Sequence, residues 1–349
     1  MRLGIIARSD NTGLGNQTRE LVNMLNPDKI LLIDSTSFNK NTQHPEWYEG
    51  RNFTSTALGF PKRGEIMRFL QDLDVVLSCE TFYSSMFVDM ARHLGIKTLL
   101  QYNYEFLVNI ERRDESLPDV FIAPTLWQIE SMVKRFGDEV RIVHLPPPTE
   151  VSLFERAREE NLSRFHDRFL HVAGKQAARD RNGTNTVFEM LKHSKEDYEL
   201  VITSQTEFEN QILDSRVSLL RQNIKNREDL YFGFDGMILP RRYAGLCLPM
   251  NEALMSAMPV FMTDMSPNNK ILPQEWLTPA TQIGQFKAKS MTDVYSANPK
   301  QLAEIVDNYI SMIKRRKLKM KEQAFKIGSD TFSHEVLKDK YLSLFNSLK

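Results

Sequence analysis

Three consecutive prolines, Pro146, Pro147 and Pro148, constrain this 349-residue chain more than any other feature. Proline has no backbone N–H and a fixed φ, so such a run suits neither a helix interior nor a central strand and makes a stiff extended connector. A similar pattern stands on either side of it. Residues 3–7 form a short apolar run that ends at the polar, glycine-containing loop 8–15. A helix with Leu21, Val22 and Leu25 on one face follows, Asn26-Pro27 stops it, and residues 30–34 form a second apolar run. Beyond the prolines and a polar helical segment over 153–164, residues 169–174 are again an apolar run ending in glycine. A loop, a helix over 186–191 and the run 200–203 come next. Strand, loop, helix, strand is the opening of a doubly wound α/β domain, whose ligands sit at the carboxyl ends of the strands. Two such domains are expected, 1–147 and 148–331, each long enough to bury a core.

Further strands are predicted at 74–78, 97–100, 120–123 and 141–145, with helices over 87–94 and 127–136 between them. Polar residues gather where these strands end, and Glu80, Asn103 and Glu105 are candidates to meet a second substrate; loop caps are the equal alternative. Gly13-x-Gly15 can bring backbone amides close to a phosphate or a sugar, or can serve as a plain turn. In the second half, Lys175, Arg179 and Arg181 follow a strand directly. They can clamp a diphosphate, arginine through paired N–H donors and lysine as a point charge, or they can be a solvated basic loop. Arg241 and Arg242 compete for the same role.

Met237-Ile238-Leu239 reads as a strand that breaks at Pro240, crosses a glycine-containing loop and enters a helix near Pro249. Asn251, Glu252 and Ala253 are then expected in the first turn. A helix start offers unpaired N–H groups and partial positive charge, which suit an anion. A carboxylate there can also accept hydrogen bonds from a sugar diol.

Tyr243-Ala244-Gly245-Leu246-Cys247-Leu248-Pro249-Met250-Asn251-Glu252-Ala253 resembles the donor-site signature of the retaining GT-B nucleotide-sugar glycosyltransferases of the family 4-like type. That signature has two glutamates separated by seven residues. The second maps onto Glu252, which in the family holds the ribose; the first maps onto Ala244, so that carboxylate is missing. The form Arg241-Arg242-Tyr243-x-Gly245-Leu246-Cys247-Leu248-Pro249 is similar to a bacteriophage-encoded branch.

The resemblance implies a GT-B fold: two facing Rossmann-like domains with an interdomain cleft, the first on the acceptor side and completed by a C-terminal crossover helix over 332–349. It implies donor contacts from Gly13, Gly15, Arg241, Arg242, Tyr243, Gly245, Leu246, Cys247, Leu248 and Glu252. Lys175, Arg179, Arg181, Glu80 and Glu105 are the residues expected to act in catalysis. The implied reaction moves a sugar, with retention and without metal, from a UDP-sugar substrate to a hydroxyl, with no cofactor. A hydroxymethylated pyrimidine in phage DNA is one acceptor it suggests, and a protein or a glycan is the alternative. The alanine at 244 leaves open a degenerate protein that binds a nucleotide sugar without transferring it. A sugar-nucleotide epimerase ranks below both, because the linear signature is that of transferases.

Composition excludes little beyond this. Lysine plus arginine, 45, equals aspartate plus glutamate, 45, so no global field draws the chain to nucleic acid or membrane. Two cysteines, Cys79 and Cys247, make a disulfide framework unexpected and suit a reducing compartment. No apolar run approaches the roughly 18 residues that span a bilayer, and the first residues are too short a run for a secretory signal. A cytoplasmic enzyme is expected, in the host cytoplasm if phage-encoded. No His/Cys/Asp cluster has zinc-ligand spacing, and neither a Gly-x-Ser-x-Gly elbow nor a phosphate loop of the Lys-Ser/Thr type occurs. Leu302, Ile305, Val306, Tyr309 and Ile313 predict an amphipathic helix that continues through the basic run 314–321. That run reads as a solvated face or, alternatively, as a contact to a phosphate backbone.

Overall fold

A computed structural model of the chain describes every residue except 39, 105, 106, 108–115, 175–179, 207–213, 221–225, 244, 288, 289 and 349. The chain divides into two compact units. The first is Met1–Pro148 with Ala288–Ser290 and His334–Lys349, and the second is Thr149–Lys287 with Met291–Ser333.

The first unit is built on seven parallel strands: β1 (Leu3–Arg8), β2 (Lys29–Ile33), β3 (Phe53–Thr56), β4 (Val75–Cys79), β5 (Lys97–Gln101), β6 (Val120–Ala123) and β7 (Arg141–His144). Their order is β3-β2-β1-β4-β5-β6-β7. Every residue of β1, β4 and β6 is buried, which is what a parallel sheet covered on both faces requires. Successive side chains alternate between two cores. Ile5, Ala7, Val75 and Leu77 pack with α1 (Gly13–Leu25) and with Leu337, Tyr341, Leu344 and Phe345 of the C-terminal helix His334–Asn346. Ile6 and Val76 point the other way, toward α2 (Arg63–Leu70), α3 (Phe87–His93) and α4 (Ile129–Phe136). The C-terminal helix is also held by hydrogen bonds: Gln101 Nε2 donates to the Tyr341 hydroxyl at 2.8 Å, and that hydroxyl donates to Pro146 O at 3.1 Å.

The second unit opens with α5 (Glu155–Ser163). Its six parallel strands are β8 (Arg168–Gly174), β9 (Glu199–Ser204), β10 (Val217–Leu220), β11 (Gly236–Leu239), β12 (Val260–Thr263) and β13 (Leu277–Thr278), in the order β10-β9-β8-β11-β12-β13. Around the sheet lie α6 (Thr184–Leu191), α7 (Leu248–Met255), α8 (Pro299–Ile310) and α9 (Lys314–Phe332). At its centre Phe169 meets Tyr198, Phe261 and Tyr309 ring to ring. An antiparallel hairpin, β14 (Ala280–Lys287) with β15 (Met291–Ala297), follows β13.

The doubly wound α/β expectation holds in both units. The differences fall on exposed pieces and on one helix. β3, β10 and most of the hairpin face water on at least one side, so no apolar run marks them, and α2 is likewise absent from the sequence reading. The basic run does not continue the preceding helix: α8 ends at Ile310, Ile313 is extended (φ −62°, ψ 146°), and a new helix starts at Lys314.

Nor is that run a uniformly solvated face. Lys317 and Lys321 are buried. Lys321 Nζ lies 2.5 Å from Asp235 Oδ1 with both side chains fully buried, and it also donates to Asn161 O and Arg164 O. Lys317 Nζ lies 2.9 Å from Asp167 Oδ1. The restart of the helix is what lets two lysines four residues apart turn inward on one face.

Candidate functional site

In each sheet the first strand of the unit has a later strand beside it, β4 beside β1 and β11 beside β8. The connections run to opposite sides of the sheet at these places, and a crevice opens outside the strands' carboxyl ends. Most of the residues singled out in the sequence lie in the loops that leave these four strands.

In the second unit the two loops touch. Gly183, at φ +74°, precedes α6, and a Cβ on it would stand 2.1 Å from Pro240 O. Only glycine combines that backbone with that approach. Asp180 takes the capping role, its carboxylate accepting from the N–H groups of Thr184 (2.8 Å) and Asn185 (2.9 Å). The Arg242 N–H donates to Arg181 O at 2.9 Å, and the Arg181 guanidinium lies 5.2 Å from the centre of the Tyr243 ring. The hairpin secures the same loop: Phe286 meets Tyr243 edge-on at 4.8 Å, and the Tyr295 N–H donates to Arg242 O at 2.8 Å.

Beneath the loops, His171 of β8 is fully buried between Ile238 O (2.8 Å from Nδ1) and the Thr184 hydroxyl (2.9 Å from Nε2). A carbonyl only accepts, so Nδ1 carries the hydrogen and Nε2 accepts from Thr184. Burial pushes the imidazole down to about 4, which keeps it neutral.

Among the described residues Arg241 is a buried charge without a carboxylate partner. It is 4 % exposed, its Nη1 donates to Leu246 O at 3.0 Å, and its Nε is buried with no partner. A guanidinium held this way is costly until an anion joins it. Close by in sequence, α7 begins at Leu248 with no side-chain cap and no acidic residue in its first turn. Tyr243 and Cys247 are buried, Gly245 and Leu246 complete the loop between them, and Leu248 opens the helix.

Glu252 departs from the sequence expectation. It is the fifth residue of α7 rather than part of its first turn. Its Oε2 accepts from the Tyr231 hydroxyl at 2.5 Å, and its Oε1 lies 3.4 Å from Arg227 Nη1. Burial raises its carboxyl above the usual range, while Arg227 and Tyr231 oppose that. Neither Tyr231 nor Arg227 carries a signal in the linear sequence. Of the three cations after β8, Arg181 is in place beside Tyr243, and Lys175 and Arg179 lie outside the described residues.

In the first unit, Gly13 opens α1 and is exposed, while Gly15 is buried: a Cβ there would stand 1.8 Å from Asp10 O. That close approach is to the protein's own backbone. Asp10, missed in the sequence, is fully buried, and its carboxylate accepts from Thr12 Oγ1 (2.5 Å), Ser35 Oγ (2.7 Å) and the Arg8 guanidinium. Burial alone would raise its carboxyl, but those three donors outweigh burial and hold it below the usual range. Across the switch point, Glu80 adopts a positive φ of 63°, and its carboxylate accepts from Asn103 Nδ2 at 3.4 Å. Glu105 lies outside the described residues. Among the described residues no group of three or more His, Cys, Asp or Glu side chains is placed to hold a metal ion, and no helix is long and apolar enough to cross a membrane.

No known protein family's profile matches the chain, and no curated protein matches it by sequence. Solved structures do match it. Sucrose-phosphate synthase from Thermosynechococcus elongatus superposes with a TM-score of 0.66 at 13% identity, over 100% of this chain and 99% of that one. A glycosyltransferase from Rickettsia africae gives 0.69 at 12%, over 99% and 98%. HepE from Anabaena, in complex with UDP and glucose, gives 0.68 at 10%, over 99% and 100%. At these identities the likeness is one of architecture, and the architecture is the GT-B fold.

Proposed function

We propose that the protein transfers a sugar from a nucleoside-diphosphate sugar to a hydroxyl acceptor, with a UDP-sugar as donor and with retention at the anomeric carbon. The observation that carries this reading is the buried, anion-less Arg241 in the loop that runs into the uncapped start of α7, with Arg181 and Arg242 joined to it through one hydrogen-bonded loop pair. HepE, a match in fold, is solved with UDP and with UDP-glucose, which supports a donor of that class here.

In the proposed reaction the bond between the anomeric carbon and the β-phosphate oxygen breaks, and its electron pair leaves with the diphosphate. The acceptor oxygen forms the new bond, and its proton passes to the departing phosphate oxygen. The chain's part is to take up the charge that develops on the diphosphate. Each charge-assisted hydrogen bond from a guanidinium contributes roughly 1.5–3 kcal/mol, and such donors are worth more when fixed before the reaction begins. Glu252 faces the donor ribose in this reading, with Tyr231 and Arg227 holding its carboxylate in one orientation. The reaction as proposed asks for no divalent ion, and turnover should persist in a chelator.

A second reading, binding of a nucleotide sugar without transfer, draws on the same carboxylate, because both its oxygens already have protein partners. One experiment separates the two. The protein is incubated with a panel of nucleotide sugars, and nucleoside diphosphate release is followed alone and with acceptors. Release that depends on Arg241 supports transfer. Saturable binding with no release under any condition supports the second reading, and neither binding nor release refutes both.

A further inference from the structure

Phe38 and Phe60 are 46% and 63% exposed, and their ring centres lie 5.8 Å apart with planes at 51°. They stand on the segments that follow β2 and β3, at the carboxyl edge of the first unit's sheet. Arg8, which holds Asp10, places its guanidinium 5.8 Å from the Phe38 ring centre. The pairing is built into the backbone. The Ser37 hydroxyl donates to Leu58 O at 2.7 Å. Gly59 sits at φ +74° where a Cβ would stand 2.4 Å from the Phe38 ring and 2.9 Å from Asp34 O. A glycine is thus used to bring two large aromatic side chains together in water.

The sequence around the rings repeats. Phe38-Asn39-Lys40 and Phe60-Pro61-Lys62 both place a lysine two positions after the aromatic, and Arg63 follows the second. Lys40, Lys62 and Arg63 are exposed, and none of them is in an ion pair with another described residue. The carboxylates of the same segments are turned to local partners: Asp34 accepts from the Thr36 N–H and hydroxyl, and Glu65 accepts from the Lys62 N–H.

We infer that Phe38 and Phe60 form a stacking platform for unpaired bases of a single-stranded nucleic acid, with Lys40, Lys62 and Arg63 on its phosphates. Aromatic faces interleaved with cations are what a base-and-phosphate polymer requires, since every base offers a π-face and every linkage a charge. A neutral glycan would use the rings but leave three cations idle. A lipid surface calls for a broader apolar face, of the kind an amphipathic helix supplies; here the apolar part is Phe38, Phe60 and the neighbouring Leu58 on two loops. The inference rests on the transferase reading and deepens it, by making the acceptor hydroxyl part of a nucleotide.

The test is fluorescence anisotropy of a labelled oligothymidylate, without donor, over a salt series. Wild type binds, and Phe38→Ala with Phe60→Ala weakens binding roughly tenfold or more while the salt slope stays the same. Replacing Lys40, Lys62 and Arg63 by glutamine lowers the slope by about 2, as loss of three phosphate contacts on a single strand predicts. Both variants keep the melting temperature and donor affinity of wild type. Equal oligonucleotide binding by wild type and the aromatic variant overturns the inference. So does wild-type binding to anionic vesicles or glycans but not to the oligonucleotide. Failure of the transferase reading shows separately, as absence of nucleoside diphosphate release in a protein that still binds the strand.

Discussion

The guanidinium of Arg181 lies over the ring of Tyr243, 5.2 Å from its centre, and Phe286 of the hairpin closes on that ring from another side at 4.8 Å. The cation that meets the diphosphate in the proposed reaction is thereby held by a stack whose last member comes from a segment more than forty residues later in the chain.

Removing that last member should loosen the cation without removing it. Phe286→Ala is expected to lower the rate of nucleoside diphosphate release about fivefold, the size of an aromatic pair contact of about 1 kcal/mol. Phe286→Tyr should restore it. The check is kcat against KM: a rise in KM with kcat unchanged would place the stack in donor binding alone.

Glu252 and Tyr231 predict a split outcome. Glu252→Ala removes the proposed ribose acceptor and leaves the buried Tyr231 hydroxyl unpaired, at a cost of roughly 1–3 kcal/mol, so both donor affinity and melting temperature should fall. Tyr231→Phe keeps the carboxylate and loses only the 2.5 Å hydrogen bond; its stability should fall by about 1 kcal/mol with donor affinity within a few-fold of wild type. Calorimetric titration beside thermal melts reads both.

His171 makes stability depend on pH in a direction that can be worked out. Its folded value, about 4, lies below the 6.5 of an ordinary histidine, so between these values the unfolded chain binds the extra proton and acid favours unfolding. The contribution is complete above 6.5 and is lost as pH falls toward 4, by an amount on the order of 3 kcal/mol. Denaturant unfolding at a series of pH values should show this slope, and His171→Gln, which cannot titrate, should flatten it.

Lys321 and Asp235 form a pair with no exposure on either side. Breaking it from one side strands a charge, so Lys321→Met is expected to cost roughly 3–5 kcal/mol. Lys314→Met, on the exposed part of the same run, should change stability by no more than a few tenths of a kcal/mol. Urea midpoints for the two variants give the comparison, and equal midpoints would contradict the buried pair.

Those lysines also show where the sequence stops speaking. Lys314 and Lys321 read alike in a basic run, and only the tertiary positions of Asp167 and Asp235 make two of the lysines structural. β1, β4, β6 and β11 were legible because strands covered on both faces become unbroken apolar runs. The hairpin was not, because neither face of β14 is covered over most of its length and its order comes from Tyr243 and Arg242. The loop after β11 stood out through its proline and glycine punctuation and its likeness to a known signature. The partners of Glu252 did not, since Tyr231 and Arg227 precede it by several turns of chain and converge only after folding. Asp10 and His171 are single polar residues in or beside apolar strands, and only their buried hydrogen bonds reveal their place.

The helix His334–Asn346 supplies Leu337, Tyr341 and Phe345 to the core around β1 and β4, so residues far along the chain complete a core that β1 begins. During synthesis the part of that sheet face left open beside α1 must therefore wait until residue 346 has been made, while the second unit can settle ahead of it. A nascent chain halted before residue 334 would expose that apolar patch to chaperones.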